Sequence, residues 1–396
     1  MNQPIRRNLP ILMLCQSVAT GGTVLVVTIG GIVGVSLAPD PAIGTLPMSL
    51  MVVGTALSAI PAALLMQRIG RRLGYVTASC AAAAAALLGA WAVSQQSFVL
   101  FCLCTLLIGV NVAFAQQYRF AAAESVSADR AGRAVSLVLV GAVGGALLGP
   151  AIVTGSAGLW PAHAFVAPFL AIAVFYLLAA ALLMALVEPE PQIDPSAPQA
   201  RRPLRELAGQ RLFFTAVLAG VVGQGVMTFI MTATPISMHV VDGFSLPETA
   251  SVIRTHVLAM YLPSLASAAL IGWLGVTRLM WLGLAALAAT VVVALQGHAY
   301  MHYWVSLLLL GVGWNFLFVG GTTLLVQSYR PAERFTAQAV NDFSVFGVAA
   351  LGSLLAGTVV HGAGWSGVLW GSLPALLVLI VVLAWPRQPA VAQSDA

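Results

Sequence analysis

The sequence predicts an all-α membrane protein, with twelve transmembrane helices in two pseudo-symmetric six-helix bundles. Three observations lead there. Charged residues make up 7% of the 396 and hydrophobic residues 60%, whereas an ordinary soluble domain is roughly 25% charged. Apolar runs long enough to cross a bilayer, about 20 residues, recur twelve times. Apart from Arg254, the arginines fall only in every second connection between those runs. A soluble fold could not hide so much apolar surface, because even large domains leave about a quarter of their chain surface in water.

The first run, 9–37, follows Arg6 and Arg7. It is about twice the length of a signal-peptide core, and Leu14 before Cys15 spoils a lipoprotein cleavage site. It is the first span. Five more follow at 46–66, 74–94, 98–118, 131–155 and 163–187. The second six are 211–239, 249–272, 278–296, 302–329, 335–360 and 367–386. These runs divide the chain into an N-terminal bundle (1–187), a proline-rich charged linker (188–210) and a C-terminal bundle with a short tail (211–396).

Arg68, Arg71 and Arg72 follow the second span, and Arg119, Arg130 and Arg133 lie between the fourth and fifth. Arg201, Arg202, Arg205 and Arg211 fill the linker; Arg278, Arg330, Arg334 and Arg387 continue the alternation. The positive-inside rule makes that side cytoplasmic, which places both termini inside a bacterial inner membrane. All 17 cations are arginine, a compositional bias. The net charge of +5 lies in short connections, so it reads as a topology signal and gives no reason to expect nucleic acid. Cys15, Cys80, Cys102 and Cys104 all sit in apolar runs, which speaks against a disulfide framework.

Ala128-Asp129-Arg130 after the fourth span answers Ala332-Glu333-Arg334 after the tenth. Internal repeats of this kind mark secondary transporters, whose site lies near the midplane between the halves. Gln67-Arg68-Ile69-Gly70-Arg71-Arg72 resembles the loop motif of the major facilitator superfamily, with Gln67 where that motif has aspartate. Gly145-Ala146-Leu147-Leu148-Gly149-Pro150 resembles its fifth-helix glycine-proline motif. The resemblance implies alternating access by rocking of two bundles, with spans one, four, seven and ten lining the cavity. Gly145, Gly149 and Pro150 are then sites of close helix approach. Arg68, Gly70, Arg71 and Arg72, with Asp129, Arg130, Glu333 and Arg334, are candidate cytoplasmic latches, and orientation signalling competes with that role. Pro235 and Pro263 are expected to kink spans seven and eight.

Ionisable groups inside a membrane are functional candidates by default, and this chain has few. Arg254 falls in the outer turns of span eight and Asp342 in the cytoplasmic part of span eleven. The core of spans seven and eight offers sulfur and imidazole instead: Met227-x-x-x-Met231 and His256-x-x-x-Met260. Four-residue spacing puts each pair on one helix face, and antiparallel spans would layer His256 with Met231 and Met260 with Met227. Thioether and imidazole suit a soft ion, above all Cu(I). Methionines also fill gaps between helices, which is the competing reading. The paired motifs are similar to those of the CcoA-like copper importer branch of the superfamily. That resemblance implies Met227, Met231, His256 and Met260 as metal positions, and close relatives in the branch are associated with riboflavin.

Asn111, Gln116, Gln117, Gln224 and Asn315 are uncharged polar groups in expected cavity helices. They suit hydrogen bonds to an organic substrate or between helices. Trp314 beside Asn315 offers a stacking surface. His239 and Arg254 complete the candidate substrate path, and His163, His298, His302 and His361 lie with His239 at outer loops. The expectation is a copper importer working by alternating access, without a resident cofactor and not an enzyme. Its partners would be the ion and membrane lipid. The rivals are an importer of a small organic molecule such as riboflavin, and a non-transporting sensor or assembly factor.

Overall fold

The computed structural model describes residues 3–40, 43–44, 46–127, 130–156, 159, 165–188 and 202–385. Asp129, His163, Arg201, Arg387 and most of the linker lie outside them.

The fold is all-helical. The first six passes are α1 (Gln3–Leu37), α2 (Leu46–Ile69), α3 (Arg71–Ser94), α4 (Phe98–Ala115) extended by the short α5 (Tyr118–Glu124), α6 (Ala131–Ser156) and α7 (Val166–Met184). A short α8 (Leu204–Gly209) leads into α9 (Arg211–Pro235), which ends in a π-turn over Ile236–Val241. The eighth pass is split into α10 (Leu246–Tyr261) and α11 (Ser264–Leu274), followed by α12 (Val276–Ala294) and α13 (Tyr300–Ser328). The last two passes run on as α14 (Arg334–Ala384), broken where Gly364 takes φ 68°. Ten helices among the described residues are individually long and apolar enough to span a bilayer. The split eighth pass and the division of α14 at Gly364 bring the total to twelve.

The expected proline effects are visible in the backbone. Proline has no N–H and clashes with the preceding turn, and the straight helix of span seven gives way to a π-turn after Pro235. At Pro263 span eight breaks outright, and Asn315 of α13 compensates. Its Nδ2 donates to the Met260 carbonyl (2.7 Å) and to Ser264 Oγ (2.6 Å), while Ser267 Oγ donates to its Oδ1 (2.9 Å). A helix break in hydrocarbon survives only when a neighbour satisfies the freed backbone. The amide of Asn315 is committed to that task.

Helix pairing repeats between the two sets of six. In the first, α1 packs on α6, α2 on α4 and α3 on α7; in the second, α9 packs on α14, α10 on α13 and α12 on α14. The third and ninth passes begin identically, at Gly70 (φ 84°, ψ 161°) and Gly275 (φ 81°, ψ 162°), torsions that disfavour a Cβ. Each set is also tied shut where its first and last helices meet. Asn8 Nδ2 donates to the Val187 carbonyl (2.7 Å) and Val187 N–H to Asn8 Oδ1 (2.9 Å), while Arg211 donates to the Trp385 carbonyl.

Close approach carries much of this packing, as expected where lipid provides no hydrophobic drive between helices. A Cβ on Gly145 would lie 2.5 Å from the Ser17 carbonyl and 2.7 Å from the Gly21 nitrogen; one on Gly149 would lie 2.9 Å from the Gly21 carbonyl. Gly145→Ala should therefore cost about 1–3 kcal/mol through overpacking, seen as a lower thermal midpoint in detergent. Gly347→Ala, with no atom within 4 Å of the added methyl, should leave the midpoint unchanged or raise it, because alanine favours a helix by up to about 1 kcal/mol over glycine. Equal losses in both would refute the steric account.

Candidate functional site

Two structural features stand out within the bilayer: a polar–aromatic cluster on spans seven, eight and ten, and a charged network that closes the arginine-bearing end.

The cluster is built on α13. Trp314 Nε1 donates to Gln224 Oε1 of α9 at 2.6 Å, and Gln224 Nε2 reaches Thr228 Oγ1 at 3.3 Å. Tyr261, at the end of α10, meets the indole edge-on, with ring centroids 5.8 Å apart. Phe318, one turn along α13, stacks on Trp314 at 4.7 Å and 21°. Gln224, Thr228 and Tyr261 are half-buried, so the cluster keeps an open flank. Asn111 of α4 is buried, and its Oδ1 has no partner among the described atoms. Amide groups beside aromatic faces suit a planar heterocycle with donors and acceptors on its rim, stacked and hydrogen-bonded at once.

The network at the other level joins the two sets of six helices. Arg71 of α3 donates to Glu124 Oε2 and to Gln338 Oε1 of α14, both at 2.9 Å. Glu124 also accepts from Tyr329 (2.8 Å) and Gln338 (2.6 Å), and Arg334 lies 3.7 Å away. Deeper, Arg119 Nη2 donates to Asp342 Oδ1 at 2.5 Å while Gln117 Nε2 donates to Oδ2 at 2.6 Å. The Arg119 guanidinium sits over Phe318 (4.1 Å) and Phe120 (4.6 Å). Arg71, Arg119 and Asp342 are all buried. Charges removed from water are tolerable only when paired and hydrogen-bonded, so these residues hold the two halves together at this end.

Arg202 fastens the linker's far end, pairing with Glu333 at 2.5 Å, and Arg330 N–H also donates to that carboxylate (3.0 Å). Glu188 at the near end accepts from Arg72 N–H at 2.8 Å. Arg68 and Arg130 are exposed. At the opposite end, Tyr303 donates to Asp242 (2.6 Å), which pairs with His298 (2.9 Å), tying the π-turn to the start of α13. His239 Nδ1 lies 2.7 Å from the Phe244 carbonyl, and Arg254 is exposed on α10.

Sequence reasoning missed Tyr261, Phe318 and Glu124, and took Arg119 for a topology signal. The available signal was Gln338 and Asp342, four residues apart and so on one helix face, opposite Gln117 and Arg119.

The expected metal ladder layers His256 with Met231 and Met260 with Met227. It required spans seven and eight to face one another, but α10 packs chiefly against α13 and α9 against α14 and α13. His256 is fully buried with Nδ1 2.8 Å from the Leu307 carbonyl of α13. A Cβ on Gly311 would lie 2.7 Å from the His256 carbonyl, a measure of how closely these two helices approach. Equal depth along two helices says nothing about which way their faces turn.

The Major Facilitator Superfamily profile matches residues 12–334. The riboflavin transporter RfnT of Brucella anthropi is 39% identical over 392 residues, covering 99% of this chain and 98% of the relative. The uncharacterized MFS-type transporter YdeG of Bacillus subtilis is 29% identical, covering 96% of this chain and 92% of the relative. Among solved structures, the human organic anion transporter MFSD10 superposes with a TM-score of 0.76 at 16% identity, covering 96% and 100% of the two chains. The transporter FucP in its outward conformation gives 0.74 at 16%, covering 98% and 99%. The full-length likeness to a riboflavin transporter overturns the copper-import reading.

Truncating one partner of a buried ion pair strands the other. Glu124→Ala should therefore destabilise the protein by about 3–5 kcal/mol, while the double replacement Arg71→Met, Glu124→Leu should recover most of that loss. Thermal unfolding in detergent checks both. A double variant no better than the single would show that the ion pair is not what Glu124 contributes.

Proposed function

The chain belongs to the major facilitator superfamily, and on that premise we propose that it imports riboflavin or a closely similar planar heterocycle across a bacterial inner membrane. The observation that carries the proposal is the full-length 39% identity to a riboflavin transporter. The polar–aromatic cluster supports it: Trp314 and Tyr261 offer ring faces and edges, and Gln224 and Thr228 offer amide and hydroxyl groups. A flavin presents a flat tricycle with carbonyl and imide groups along one edge, which those side chains match. Asn315, tied to the break at Pro263, would shape the site without touching substrate.

Transport would proceed by rocking of the bundles 1–187 and 211–396 about the site, with 188–210 as the connection. The arginine-bearing end is cytoplasmic in this reading, so both termini are inside and the described conformation is closed to the cytoplasm. Arg71, Arg119, Glu124, Gln338 and Asp342 form the closure. Arg202, Glu333 and Arg334 steady its rim, and Gly145 and Gly149 keep α1 and α6 in close register.

Uptake of radiolabelled riboflavin into a riboflavin-requiring bacterium expressing this chain tests the reading. Excess unlabelled riboflavin should abolish uptake and Cu(I) should leave it unchanged. Trp314→Ala should reduce uptake at least about fivefold, given that stacking on an aromatic face is worth about 1–3 kcal/mol, and Trp314→Phe should retain a measurable part. The volume-conserving changes Met231→Leu and Met260→Leu should stay within about twofold of the parent. No riboflavin uptake by the parent chain would end the proposal.

A further inference from the structure

We propose that Phe318 is the positioning residue that couples occupancy of the Trp314 cluster to the Arg119–Asp342 pair, so that ligand binding unlocks the arginine-bearing end. The inference rests on the reading of that cluster as the substrate site. It comes from an unbroken run of contacts. Trp314 is held on one side by Gln224 at 2.6 Å and stacks on Phe318 at 4.7 Å. The two rings are four residues apart on α13, so they share one face. Phe318 in turn lies 4.1 Å from the guanidinium of Arg119, which comes from the other set of six helices.

Arg119 is held by little else. Its guanidinium lies between Phe318 and Phe120, with Nη2 on Asp342 at 2.5 Å and Nη1 at 3.5 Å from Gln116. Its buried Nε has no partner among the described atoms. A desolvated cation in this position depends on the quadrupole of each ring it touches. A planar ligand that competes for Trp314 disturbs the Gln224 bond and the Trp314–Phe318 stack together. Phe318 then shifts from under the guanidinium, and the inter-half pair with Asp342 loses one of its supports. Phe318 itself need not touch the ligand.

The test uses the full chain in detergent with Thr323→Cys as reporter. Thr323 is 1% exposed, and its Oγ1 lies 3.1 Å from the Cβ position of Gly132 across the junction between halves, so a hydrophilic thiol reagent reaches a cysteine there only when that end opens. Labelling is read by peptide mass spectrometry, which separates it from the four native cysteines. In the reporter chain riboflavin should raise the labelling rate. Adding Phe318→Leu, which keeps bulk and removes the ring, should raise basal labelling about thirtyfold, the equilibrium equivalent of a desolvated cation–π contact. It should also erase the riboflavin response while riboflavin affinity stays within about threefold. Phe318→Tyr should restore parental behaviour, which a purely steric role for the ring edge would not require.

Unchanged basal labelling in Phe318→Leu overturns the proposal, as does an intact riboflavin response. Loss of riboflavin affinity beyond tenfold also overturns it, by making Phe318 part of the binding surface. If the parent chain binds no riboflavin, the substrate reading fails separately, and basal labelling alone decides whether Phe318 holds the lock.

Discussion

A bilayer has no water to spare for a stray charge, and the architecture follows from where the few charges are allowed to be. Most arginines mark one face of the membrane and stay near solvent. Arg71 and Arg119 do not: both are buried, and both find their carboxylate or amide partners across the boundary between the two sets of helices. Arg71 also has Glu124 within its own set, but Arg119 and Asp342 form their ion pair only across the boundary. The closed end is thus defined by electrostatic need, while the rest of the contact between halves is apolar and small-residue packing.

That division has a mechanistic sense. Apolar helix faces in lipid gain little by choosing one another over acyl chains, so they can slide or part at modest cost. A buried ion pair is satisfied or it is not, and supplies the two-state character that an alternating carrier requires. Phe318 links that pair to the Trp314 cluster, touching the Arg119 guanidinium and the indole at once. Glu124 extends the same logic outward, gathering Arg71, Tyr329, Gln338 and Arg334 around one carboxylate.

The fold was legible in the sequence because its governing signals are local. Run length, arginine placement and proline position need no knowledge of tertiary contacts, and they gave the twelve passes and the distortions at Pro235 and Pro263. What depends on azimuth was not legible. His256 and Met260 do share a helix face with Met-x-x-x-Met spacing on the neighbouring span, yet α10 turns to α13, where Leu307 receives the imidazole. Asn315 was open to a substrate bond or a bond between helices, and it serves the backbone broken two residues after Tyr261. Asp342 was seen as an outlying acid because its partner Arg119 is 223 positions away. Spacing marks Gln338 and Asp342 as one helix face, but not which distant residues that face meets.

Gly70 and Gly275 carry almost the same torsions although the residues around them have diverged. Duplication is recorded here in backbone angles more faithfully than in side chains. The copies are nonetheless unequal. At Gly70 the Glu188 carboxylate is docked against the bend and takes the Arg72 N–H, whereas no described atom lies within 4 Å of the corresponding Cβ position at Gly275. One bend is capped by a carboxylate from the near end of the linker and its twin is not, so the two halves share a corner but not its fastening.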